Sequence, residues 1–148
     1  MIMIKNTQRK HAIDTNAVKD IAQKILDQLD YSDFDLGIWL TNNKTIRDYN
    51  KTYRHKDKAT DILSFSYHPD LIAGERVVVQ SEEDKNLGDL IISPEFVVSQ
   101  LPDLDTTLEK RLNVLLVHGV CHLLGHDHEK GDEYEIMNKQ EQALLKNL

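Results

Sequence analysis

Near its C-terminal end the chain reads HGVCHLLGHDH, residues 118–128, with four histidines in eleven positions. Imidazole nitrogen is a good zinc ligand at about 2.0–2.1 Å. His118 and His122 stand four apart. On a helix such positions share a face, with Cβ atoms about 5–6 Å apart, so both rings can converge on one ion. Gly125 then suits the residue that stops the helix and turns the chain, and His128 follows three positions later. The spacing H-x-x-x-H-x-x-G-x-x-H predicts one zinc ion held by His118, His122 and His128, with the fourth position open as in catalytic zinc sites. His126 is the rival third ligand because it continues the i+4 series. It needs the helix to run through Gly125, so His128 is preferred. Cys121 reads as a small buried residue rather than a ligand. Asp127 reads as a solvated loop acid, with orientation of an imidazole as its alternative role.

The same spacing occurs in metzincin zinc peptidases, with one difference. There the first histidine is followed by the glutamate that serves as general base; here it is followed by Gly119. The ligand pattern is kept and the peptidase's base is missing. Three neutral imidazoles leave zinc its full charge, which attracts anions and lowers the pKa of bound water toward about 7. A phosphodiester fits that charge. Its transition state gathers further negative charge and calls for a second cation nearby. Arg54 is the candidate singled out, because it directly precedes the loop entering the strand ILSF.

Several elements must position these groups. Met1–Ile4 reads as a strand, and Thr15 as the cap of a helix from about Asn16 to Leu29. Phe34–Leu40 alternates as a strand, and Thr41 or Asn42 caps a helix through Tyr53. Asp61–Tyr67 holds a buried strand, with Thr60 and Asp61 read as local hydrogen-bonding residues. Residues 68–86 read as loop or edge hairpin around the Val77–Val79 run; Leu87–Ser93 is a further strand. Pro94 starts a short helix to about Gln100. Asp105 or Thr106 opens the histidine-bearing helix, whose apolar stripe is Leu108, Leu112, Leu115 and Leu116. A last helix runs from about Asp132 to Lys146. The mixture predicts an α+β (or mixed α/β) fold, one sheet with helices packed on it, in a single domain over residues 1–148.

Composition narrows the class. At 40% hydrophobic and 29% charged residues the chain is that of an ordinary globular protein. A single cysteine rules out an internal disulfide and fits a reducing compartment. No secretory signal and no apolar run of membrane-spanning length is found, so the expected address is cytoplasmic, with no membrane partner. The net charge of −7 argues against indiscriminate coating of nucleic acid. Yet Lys44–Lys58 carries six Lys/Arg against two acids, a window of +4 in a remainder of −11, with Tyr49 and Tyr53 inside it.

The runs NKTYRHKDKATDILSF (50–65), LGDLIIS (87–93) and HGVCHLLGHDH (118–128) together resemble the hallmark blocks of the YbeY family, bacterial endoribonucleases also described as rRNA maturation factors. The resemblance implies an α+β fold with a mainly parallel four-stranded sheet. It implies metal ligands at His118, His122 and His128 and a functionally important arginine at Arg54. It further implies metal-dependent cleavage of single-stranded RNA, linked to small-subunit ribosomal RNA processing and ribosome quality control. His126 departs from relatives that carry an aromatic there, without disturbing the ligand pattern. Lys51, Lys56 and Lys58, with Tyr53, could then contact RNA backbone or stack on bases. Two other readings stay open. One is a metallohydrolase of peptides with Glu129 or Asp89 replacing the missing base. The other is a zinc-clamped ribosome assembly factor that cuts nothing. Oligomeric state is not legible.

Overall fold

The computed structural model describes residues 1–127 and 131–148. Its strands are β1 (Ile2–Asn6), β2 (Asp35–Leu40), β3 (Ile62–Ser66) and β4 (Asn86–Ile92). Its α-helices are α1 (Thr15–Gln28), α2 (Asn43–Arg54), α3 (Pro94–Leu104), α4 (Leu108–Leu123) and α5 (Gly131–Lys146). The sheet order is β1-β2-β4-β3. β1 and β4 run parallel to β2, and β3 pairs antiparallel with β4. The sheet is thus mixed and mainly parallel, with β3 an edge strand.

Period-2 alternation feeds two cores, one per face of the sheet. Leu36, Ile38 and Leu40 of β2 join Leu90 and Ile92 of β4 on the face covered by α1 and α4. Trp39, Leu63, Phe65 and Ile91 point to the other face, where Ile46 and Tyr49 of α2 pack on them. α4 is the central helix, packed against β3, β4, α1, α3 and α5. Gly119 permits its close approach to the sheet: a Cβ there would stand 2.7 Å from Leu90 Cδ2 and 2.9 Å from Ile62 Cδ1.

Side chains start the helices near the expected positions. Asp14 rather than Thr15 caps α1, accepting from the Ala17 N–H at 3.1 Å, and Asn42 caps α2 through the Thr45 N–H at 2.9 Å. Neither Asp105 nor Thr106 opens α4. Asp105 instead closes α3 in a left-handed conformation (φ 49°), and Thr107 accepts from the Lys110 N–H at 3.2 Å. α3 also runs past Gln100 to Leu104 despite Pro102. Between β3 and β4 the described chain is loop with a single 3-10 turn at Glu82–Asp84, so the Val77–Val79 run forms no hairpin.

Candidate active site

His118 and His122 lie half-buried, one turn apart at the C-terminal end of α4. The helix ends in a Schellman motif. The Gly125 N–H donates to His122 O at 3.0 Å and the His126 N–H to Cys121 O at 3.1 Å. Gly125 takes φ +91°, and any Cβ there would collide with the Leu71 carbonyl oxygen. The chain therefore leaves the helix at the glycine, which removes the helical route that would make His126 a third ligand. His128 and Glu129 lie outside the described residues.

The two imidazoles are held from behind. His122 Nδ1 donates to the His126 carbonyl at 2.9 Å, and His118 Nδ1 faces Glu141 Oε2 at 3.2 Å. A carbonyl accepts, and a carboxylate can, so both contacts suit rings protonated on Nδ1, the tautomer in which Nε2 can ligate a cation. The two Nε2 atoms stand 3.0 Å apart. Two nitrogens on one tetrahedral zinc stand roughly 3.3–3.4 Å apart for bonds of about 2.0–2.1 Å. Two imidazole nitrogens that converge on one point, each ring held through its other nitrogen, are a donor pair that suits a zinc ion. These residues fit the metal.

Cys121 takes no part. It is fully buried among the core residues, and burial pushes its thiol up to about 12. Burial also lowers the pKa of the His126 imidazole, whose buried Nδ1 has no hydrogen-bond partner among the described residues. This residue serves the site through its carbonyl.

His118 and His122 open into a cavity of about 570 Å³ that Arg54, Asp61, Arg111, Asp127 and Glu141 also line. Arg54 is exposed at the end of α2, where His55 in a left-handed conformation stops the helix. The structure thus brings the singled-out arginine to the histidine pair across 64 residues of sequence. Thr60 and Asp61 bond locally as expected, Asp61 Oδ1 accepting from the Ile62 N–H at 2.8 Å. Asp61 Oδ2 also faces Arg111 Nη2 at 3.6 Å. Arg111 adds a second guanidinium to the cavity, and its buried Nε has no hydrogen-bond partner among the described residues.

The sequence alone did not point to Glu141 or Arg111. Arg111 lies seven residues before His118, two helical turns along the same face, and that spacing could have revealed it. Glu141 lies on another helix and left no local signal. Asp89, considered as a replacement base, faces the opposite side of the sheet beside Trp39 and Phe65. It cannot reach this cavity.

A sequence profile of the family described as Endoribonuclease YbeY matches residues 3–148. A Petrotoga mobilis protein named Endoribonuclease YbeY is 32% identical over 152 residues, covering 99% of this chain and 96% of the relative. One of the same name from a Sulfurihydrogenibium species is 38% identical over 132 residues, covering 89% and 81%. The solution structure of TM1509 from Thermotoga maritima superposes with a TM-score of 0.57 over 97% of this chain and 89% of that one. At 22% identity that likeness establishes the fold alone.

Proposed function

Because this chain belongs to the YbeY endoribonuclease family, we propose that it is a zinc-dependent endoribonuclease of single-stranded RNA. Its role, on this reading, is small-subunit ribosomal RNA maturation and ribosome quality control in the cytoplasm. The observation that carries the reading is the 3.0 Å convergence of the His118 and His122 Nε2 atoms in a cavity that Arg54 also lines.

His118, His122 and His128 would hold one zinc ion. When bound, zinc supplies a Lewis acid for the phosphoryl oxygen and a water acidified toward neutral pH. Glu141 and the His126 carbonyl hold the two rings in the tautomer that presents Nε2. Arg54 and Arg111 face the place where a phosphodiester would sit, and their fixed charges favour the more negative transition state over the ground state. Arg54, exposed and bidentate by nature, can release its hydration to grip two phosphate oxygens. The strongly acidic remainder of the chain repels RNA elsewhere and leaves the α2 side as the approach.

The test is metal analysis of the wild type and of His118→Ala, His122→Ala and His128→Ala, with cleavage of a single-stranded RNA measured on the same samples. The expected result is parallel loss of zinc and cleavage in each variant. Unchanged cleavage by a metal-free His118→Ala protein would overturn the proposal.

A further inference from the structure

A second cavity, of about 420 Å³, opens on the other face of the sheet, which α2 covers only in part. Its walls are Trp39, Tyr49, Tyr53 and Phe65. Tyr49 and Tyr53, one turn apart on α2, are stacked at 5.9 Å with 20° between their planes. Phe65 meets Tyr53 edge-on at 5.3 Å, and Trp39 meets Tyr49 edge-on at 5.6 Å. The Lys5 ammonium lies 4.7 Å from the Trp39 ring. Tyr53 is nonetheless 61% exposed. A stack that ends in a largely exposed ring leaves aromatic surface for another flat group.

This groove and the histidine cavity adjoin across the edge strand. On β3, Ser64 and Ser66 line the histidine cavity while Phe65, between them, lines the groove. At the end of α2, Tyr53 lines the groove and Arg54 lines the histidine cavity. Two sets of sequence neighbours thus divide between the cavities. A strand crossing the β3 edge would bring its phosphate to Arg54 and an adjacent base to Tyr53.

We propose that the aromatic groove is a base-stacking subsite for an unpaired nucleobase next to the scissile phosphate of the RNA substrate. This rests on the endoribonuclease reading above. Every nucleobase has a π face, so the subsite accepts any base that is free of a partner. Duplex RNA keeps its bases in the helical stack and offers none, which makes the groove a device for single-strand selection. Charge sets the orientation. Lys5 and the basic residues of α2 draw the backbone to the rim, whereas the Asp89 carboxylate on the floor repels phosphate and accepts N–H donors from a base edge. Gly37 leaves room for that carboxylate, since a Cβ there would collide with it.

Trp39, the single tryptophan, reports on the groove directly. The full chain is mixed by stopped flow with a short single-stranded RNA, its duplex, and an abasic strand of equal charge, and fluorescence is read before cleavage proceeds. The proposal expects quenching by the single strand alone. Tyr53→Ala should weaken its binding about 5- to 150-fold, with Tyr53→Phe close to wild type. The exposure of Tyr53 makes folding of both variants straightforward. Equal response to the abasic strand, or wild-type affinity in Tyr53→Ala, would overturn the subsite. No response to any RNA would leave the groove to a protein partner and overturn it as well. Loss of the subsite with cleavage still dependent on His118 would leave the catalytic reading intact. Quenching by the single strand without any cleavage would uphold the subsite and overturn the catalytic reading instead.

Discussion

His118 Nδ1 and Glu141 Oε2 meet at 3.2 Å across 23 residues of sequence, joining α4 to α5. The carboxylate is mostly sheltered, with a side-chain exposure of 17%, so the contact is weakly screened. Its effect is to hold the ring in place at the cavity. Glu141→Gln keeps the shape and removes the charge. Zinc affinity should fall about 10- to 100-fold, read by competition with a chromophoric chelator. Unchanged affinity would reduce Glu141 to a packing residue.

Gly119 occupies the place where zinc peptidases carry their general base, and the structure supplies a steric reason for its identity. Leu90 and Ile62 fill the space that a side chain would need. Gly119→Ala would gain about 1 kcal/mol of helix propensity and lose about 1–3 kcal/mol to overpacking. Net destabilisation in urea is the expected outcome. Gly119→Glu, which restores the peptidase motif in sequence, should destabilise further through a buried carboxylate and yield no turnover of unstructured peptides. Chelator-sensitive peptide cleavage by that variant would show that the carboxylate reaches the site.

Much of the fold and part of the candidate site's geometry are legible in the sequence because they are local. Helix periodicity, the i+4 histidines and the helix-stopping glycine depend on neighbours in sequence, and each holds in the structure. What depends on tertiary packing is not legible. Asp105 suits a helix N-cap by type, but its backbone is used to end α3, so the cap passes to Thr107. The Val77–Val79 run has strand-like composition but pairs with none of the four described strands, and Val78 is left 75% exposed. Glu141 reaches His118 only because α5 folds back on α4, and no spacing rule encodes that.

Gly125 couples helix termination to the orientation of His122. Its φ of +91° and the adjacent Leu71 carbonyl exclude a side chain, and the turn it makes brings the His126 carbonyl to His122 Nδ1. Gly125→Ala should cost about 1–3 kcal/mol in denaturant unfolding and weaken zinc binding along with it. Val or Ile at this position should be worse than Ala, because a β-branched residue is least tolerant of positive φ. An Ala variant with wild-type stability and affinity would mean that the turn can be rebuilt without the left-handed residue.

Arg54 and Arg111 line one cavity but sit in different surroundings, and this predicts different behaviour on substitution. Arg54 is exposed at a helix end, so Arg54→Ala should retain fold and zinc while cleavage falls about 100-fold or more. Loss of one phosphate contact should also reduce the slope of log affinity against log salt by about 0.7. Arg111 is three-quarters sheltered, at 24% side-chain exposure, beside an Asp61 that is 19% exposed. Arg111→Met removes the cation facing Asp61 Oδ2 and should cost about 1 kcal/mol of stability, the pair being long and partly screened. The double variant Arg111→Met/Asp61→Asn separates the roles. Removing both charges should return the stability, whereas RNA affinity and the salt slope should stay reduced if the guanidinium meets phosphate. Recovery of both would mean that Arg111 serves Asp61 alone.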